Sequence, residues 1–150
     1  MKERRYPDFP IPGVGAVVVG TDGVLLARRD KEPGRGLWSL PGGGVEIGET
    51  QNDAVRREVE EETGVICEVV ELIGTADVIL SDSEDKVEYH YLLNHYLARA
   101  LTKDIRQESP EAEVQWFTLD KLPISEMPKE VHEIINGVRE MIESLMETDS

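Results

Sequence analysis

One cysteine, Cys67, is present in 150 residues, so no disulfide can close within the chain. That fits a reducing compartment, and the expected location is cytoplasmic. Bases are scarce as well: 16 Lys and Arg stand against 31 Asp and Glu, for a formal net charge of -15. Such an acidic excess argues against a nucleic-acid backbone or an anionic membrane surface as the main partner. No apolar run approaches the ~20 residues needed to span a bilayer. The opening Met-Lys-Glu-Arg-Arg-Tyr-Pro leads into no apolar segment, so no signal peptide is expected. Internal repeats and low-complexity stretches are also missing.

What is present is the composition of one globular domain, with 39% hydrophobic residues. Residues 1–12, charged and then bearing Pro7, Pro10 and Pro12, read as an N-terminal arm. Residues 13–147 read as the single domain. Val14 to Val19 and Val24 to Ala27 flank Asp22-Gly23, a hairpin signal. Arg28 to Gly36 forms a loop that holds four of the chain's bases. Leu37 to Leu40 is a short apolar segment, with Trp38 expected in the core. Val65 to Leu80 reads as one or two strands broken near Gly74, and Val87 to Leu97 alternates as another. Residues 102–112 read as a loop, and Glu113 to Thr118 as a strand. From Pro128, placed at a first helical position, apolar residues at Val131, Ile134, Ile135, Val138, Met141, Ile142 and Leu145 predict one amphipathic helix. Gly137 in its middle costs on the order of 1 kcal/mol relative to Ala.

The chemistry concentrates in the helix predicted after Thr50, with Asp53 completing its cap and Gly64 ending it. Glu58, Glu61 and Glu62 stand at i, i+3 and i+4 and share one face. Exposed like charges at that spacing repel by a few tenths of a kcal/mol per pair. The face lies beside Val55 and Val59, at the edge of the buried stripe, where a cation is needed. Oxygen donors on one face suit Mg²⁺. Zinc would want His and Cys, and His90 and His95 fall on opposite faces of their strand. The spacing of an EF-hand is absent. Gly42, Gly43 and Gly44 permit close approach of main chain to a ligand. Acids for a divalent ion, a glycine turn and a basic loop together point to a phosphate-bearing substrate.

Gly43, Glu49 and the run Arg57-Glu58-Val59-Glu60-Glu61-Glu62-Thr63-Gly64-Val65, at these spacings, resemble the complete Nudix box. The resemblance implies an α/β fold, a Nudix-type α/β/α sandwich with a mixed β-sheet between helices. It implies hydrolysis of a nucleoside diphosphate linked to another moiety, dependent on Mg²⁺, with Mn²⁺ as a substitute. Glu58, Glu61 and Glu62 would bind metal, with carbonyls around Gly42 and Gly43 completing the shell. Arg57 would orient the glutamates with Glu49 as its partner. The general base would be Glu58 within the box, or Glu111 or Glu113 outside it, and Glu108 reads as a surface residue. The stretches around residues 12–19 and 28–43 resemble the ADP-ribose pyrophosphatase-like branch. That implies Arg28, Arg29 and Arg35 as contacts to substrate phosphate or ribose, with AMP and ribose 5-phosphate as products. A nucleoside triphosphate pyrophosphatase clearing damaged or surplus nucleotides is the alternative reading. A non-catalytic Nudix-fold binding module is a further one, and the intact glutamate set argues against it. The expected partners are a small-molecule nucleotide and a second copy in a homodimer, without nucleic acid or membrane.

Overall fold

The computed structural model describes residues 4–148, so the first three residues of the expected arm lie outside it. Its centre is β1 (Ile11–Gly20), whose residues from Gly13 onward are buried. Small and β-branched residues suit a strand covered on both faces. Strand β2 (Gly23–Arg28) returns antiparallel with Val19 opposite Val24. Gly23 makes the turn at φ 114°, and a Cβ there would meet the Phe117 carbonyl oxygen at 2.0 Å, so only glycine fits.

Two short strands, β3 (Trp38–Ser39) and β4 (Gly42–Gly44), add to β2 and β1 respectively. Helix α1 (Gln51–Thr63) follows, then β5 (Cys67–Ser81) and β6 (Val87–Ala100) as a long hairpin. Strand β6 lies parallel to β1, while β7 (Val114–Phe117) lies antiparallel to β2. The path β3-β2-β1-β6-β5 is therefore a mixed sheet. Val14, Ala16 and Val18 face α1 residues Ala54, Val55 and Val59. Val17 and Val19 face the other way, toward Ile135, Ile142 and Leu145 of the two C-terminal helices. Alternation along one strand thus builds two cores, and helices cover both faces. This is the α/β/α sandwich with a mixed sheet.

Three details depart from the sequence reading. The single C-terminal helix is two, α2 (Lys129–Gly137) and α3 (Arg139–Thr148), separated at Val138, where φ is -122° and ψ 22°. Gly137 ends the first piece, and the break lets Ile135 and Ile142 both become fully buried. Pro128 stands at the N-cap of α2, one residue before its first turn. The strand over residues 67–81 is continuous, and the irregularity near Gly74 is a shift in register between Leu72 and Gly74. Trp38 does join the core, its ring edge-on to Phe117 at a centroid distance of 5.0 Å. Among the described residues no helix is long and apolar enough to cross a membrane.

Candidate active site

Helix α1 is fixed in rotation by its ends and its apolar stripe. Thr50 Oγ1 accepts from the Asp53 N–H at 3.1 Å, and Gly64, at φ 79°, donates back to the Glu60 carbonyl at 2.9 Å. Thr63 is wholly buried: its hydroxyl donates to the Val59 carbonyl at 2.6 Å and accepts from the Val65 N–H at 3.1 Å. With Val55 and Val59 held in the core, Glu58 and Glu62 fall along the edge that meets β4.

Arg57 organises that edge. Its Nε donates to Glu49 Oε2 at 2.6 Å, and one terminal nitrogen donates to Glu49 Oε1 at 2.9 Å and the Gly44 carbonyl at 3.0 Å. The other terminal nitrogen donates to Glu58 at 2.8 Å and Glu61 at 3.3 Å. Glu49 in turn accepts from the Glu46 N–H at 3.1 Å. The Glu49 and Glu58 side chains are only 15% exposed, so these bidentate, charge-assisted bonds work in a weakly solvated setting. The Arg57 guanidinium holds the Glu49 carboxyl below its ordinary range.

Glu58 lies directly over Gly43, where a Cβ would meet its carboxyl carbon at 2.6 Å. One turn on, Glu62 accepts from the Gly42 N–H at 3.1 Å. Burial, reinforced by the neighbouring Glu58 charge, pushes Glu62 up to about 8, and the Gly42 hydrogen bond and Arg29 only partly oppose this. Two part-buried carboxylates therefore lie against a bare glycine backbone where α1 meets β4, and nearby positive charge does not offset the burial of Glu62. An all-oxygen donor set of this kind fits a hard divalent ion. Among the described residues no three such side chains enclose a common point, and Arg57 holds Glu58 and Glu61 in ion pairs.

The expected substrate contacts separate. Arg28 is already engaged: it stacks on Trp38 at 4.5 Å and bonds the Gly36 carbonyl at 2.8 Å and Glu113 at 3.1 Å. It braces the loop that follows β2. Arg29 bonds the Pro33 carbonyl at 2.6 Å, and its charge weakly opposes the rise of the Glu62 carboxyl. Arg35 is 65% exposed beside Glu32 and contacts none of the glutamates of α1.

The acids outside the box, Glu108, Glu111 and Glu113, are all exposed, so Glu108 lies at the surface as read. Glu113 serves Arg28. The Glu108 carboxyl is raised by partial desolvation and by the charges of Asp30, Glu58 and Glu61, against Lys31. No local pattern marks it, because its place depends on contacts with residues far away in sequence.

The NUDIX domain profile matches residues 10–138. The putative mutator protein MutT4 of Mycobacterium tuberculosis is 38% identical over 117 residues, 73% of this chain but 46% of that protein, so the chain spans under half of that relative's length. The ADP-ribose pyrophosphatase of Methanocaldococcus jannaschii is 30% identical over 82% of this chain and 70% of its own length. The oxidized purine nucleoside triphosphate hydrolase of Danio rerio is 32% identical over 74% of this chain and 68% of its own length. Among solved structures, the MutT NUDIX hydrolase from Burkholderia pseudomallei superposes with a TM-score of 0.73 at 32% identity, covering 87% of this chain and 99% of that one.

Proposed function

The chain belongs to the Nudix family and is a hydrolase of diphosphate bonds, and from that premise we propose that its substrate is ADP-ribose, cleaved to AMP and ribose 5-phosphate. The observation that carries the reaction is the placement of Glu58 against Gly43 and of Glu62 on the Gly42 N–H. What favours ADP-ribose is the archaeal relative of that activity, which aligns over 82% of this chain. The fish relative favours a second reading, a nucleoside triphosphate pyrophosphatase.

Glu58, Glu61, Glu62 and the backbone at Gly43 are the groups that would hold Mg²⁺, with Mn²⁺ as a substitute. The ion, when bound, offsets phosphate charge and polarises phosphorus. Arg57 and Glu49 keep Glu58 in place, and Arg29 offers a cation to a phosphate oxygen. Water adds its oxygen to one phosphorus, the bridging oxygen leaves with the other, and one proton is released. Of the acids outside the box, Glu108 is our choice of acceptor for that proton, supported by its raised carboxyl and its charge interaction with Glu58 and Glu61. A homodimeric, cytoplasmic enzyme with residues 13–147 as its one domain belongs to the same proposal.

Incubation with Mg²⁺ and a panel of ADP-ribose, other nucleotide sugars, dinucleoside polyphosphates and nucleoside triphosphates tests it. AMP and ribose 5-phosphate from ADP-ribose are expected. Pyrophosphate released from a triphosphate, with ADP-ribose left intact, would establish the second reading instead.

A further inference from the structure

A cavity of about 380 Å³ lies between β5, β6 and α2, on the face of the sheet opposite α1. Ile73, Ala76, Ile134 and Val138 give it apolar walls. His95 of β6 also lines it, although that residue is only 8% exposed. Neither ring nitrogen of His95 has a hydrogen-bond partner among the described residues, and neither is sealed from solvent. A buried polar group in that state calls for a partner from the cavity. Burial holds the imidazole below its ordinary range, so at pH 7 it is neutral and offers one donor and one acceptor. Two exposed acids of α2, Glu130 and Glu133, complete the lining. Glu133 is held only loosely, by Lys129 at 3.8 Å.

Strand register ties this cavity to the carboxylates of α1. Gly42, Gly15 and His95 are paired in turn across β4, β1 and β6. The imidazole lies against Gly15, where a Cβ would meet its Cδ2 at 3.1 Å, its Nε2 at 3.6 Å and the Pro41 carbonyl oxygen at 3.9 Å. That carbonyl accepts from the Ala16 N–H of β1 at 3.0 Å. The N–H of the same peptide, on Gly42, donates to Glu62 at 3.1 Å. The two groups of a trans peptide point opposite ways, so Glu62 lies off β4 on the side away from β1. Two strand spacings, roughly 10 Å, separate Gly42 from His95, and Gly15 between them carries no side chain. A nucleotide spans such a distance from its diphosphate to its base. We propose that this cavity receives the base of the substrate, a purine bearing an amino group, and that His95, Glu130 and Glu133 are specificity-determining residues. The apolar walls take the ring faces. The carboxylates accept from the amine and repel an oxo oxygen in its place, while the imidazole pairs with a ring nitrogen. The inference rests on the reading of the substrate as ADP-ribose.

The test compares ADP-ribose with its hypoxanthine analogue, in which an oxo group replaces the amine and the phosphates are unchanged. Wild type is expected to favour ADP-ribose in kcat/KM by about tenfold or more. The double variant Glu130→Gln, Glu133→Gln should bring that ratio close to one, since an amide both donates and accepts. A general loss of stability would lower both rates and leave the ratio alone. A second readout needs no turnover. AMP added in EDTA should move the ring resonances of His95 in a proton–nitrogen NMR spectrum and leave those of His90 and His132 in place. Equal rates on the two substrates would overturn the proposal, as would a preference that survives in the double variant or a His95 signal that AMP does not move. If ADP-ribose is not hydrolysed, the comparison is made with ATP and ITP. A preference for ATP, together with the His95 shift, then keeps the cavity assignment while the ADP-ribose reading falls. Hydrolysis of ADP-ribose with no discrimination and no shift leaves that reading standing and removes the cavity from it.

Discussion

Replacing Glu62 with Gln should make the metal-free protein more stable and the metal-loaded protein worse. In the folded chain the Glu62 carboxyl is pushed up to about 8 from an ordinary 4.5, chiefly by burial and then by Glu58. Between those two values the folded state keeps a proton that the unfolded chain has lost. Stability therefore falls as pH rises through that window, and the full penalty is present above pH 8. At pH 7 about 2.5 pH units of the window have been crossed, which at 1.36 kcal/mol each is about 3 kcal/mol. Gln carries no charge to desolvate and still offers an oxygen to the Gly42 N–H, now 3.1 Å from Glu62. For a chain of this size the relief corresponds to a Tm higher by roughly 6–12 °C. The assay is thermal unfolding in EDTA from pH 5 to 8.5, followed by Mg²⁺ titration. Wild type should lose stability toward high pH and regain it with Mg²⁺, by about 2.7 kcal/mol at a hundred times Kd. Glu62→Gln should show a flatter pH profile and a much smaller response to Mg²⁺. A variant that melts below wild type in EDTA at pH 7.5 would refute the reasoning, as would a wild type whose metal-free stability rises between pH 5 and 8.

Other substitutions separate the roles of neighbouring residues. Gly43→Ala should fold, because the added Cβ meets only the movable end of Glu58, at 2.6 Å, but its displaced carboxylate should weaken Mg²⁺ binding seen by calorimetry. Arg28→Ala should lower stability by about 1–2 kcal/mol in denaturant unfolding, from lost stacking and hydrogen bonds, while KM stays unchanged. A raised KM would return Arg28 to the substrate contacts. Glu108→Gln should reduce kcat by about 10²–10⁴, the usual range for a proton-transfer group, whereas Glu113→Gln should not. Equal losses in the two variants would remove the distinction drawn between these acids.

What could be read from sequence was local in origin. Glu58, Glu61 and Glu62 share a face because helical periodicity alone puts them there, and Thr50 and Gly64 cap the helix with side chains and φ angles that act over a few residues. The Asp22-Gly23 hairpin is of the same kind. The placement of Glu108 is not, since it needs Arg106 on the end of α1 and Ser109 on Asp30, contacts that close only when β7 joins β2. Arg28 looked available for the same reason: nothing nearby in sequence shows that Trp38, Gly36 and Glu113 will enclose it. The split between α2 and α3 was hidden because an apolar stripe continues through Gly137 unchanged, and only the curvature of the core decides whether the helix can.

The parallel pairing of β1 with β6 bears on how the chain is made. Each matched pair, from Ile11 with Tyr91 to Val19 with Arg99, lies 80 residues apart in sequence. During synthesis each residue of β1 waits for its β6 partner until 80 further residues have followed. Its hairpin with β2 covers one edge in the meantime, and the other stays open. An open apolar edge is a template for pairing with another chain. Fragments ending before Tyr91 should therefore accumulate as aggregates and not as smaller folded units, although they contain the whole of α1.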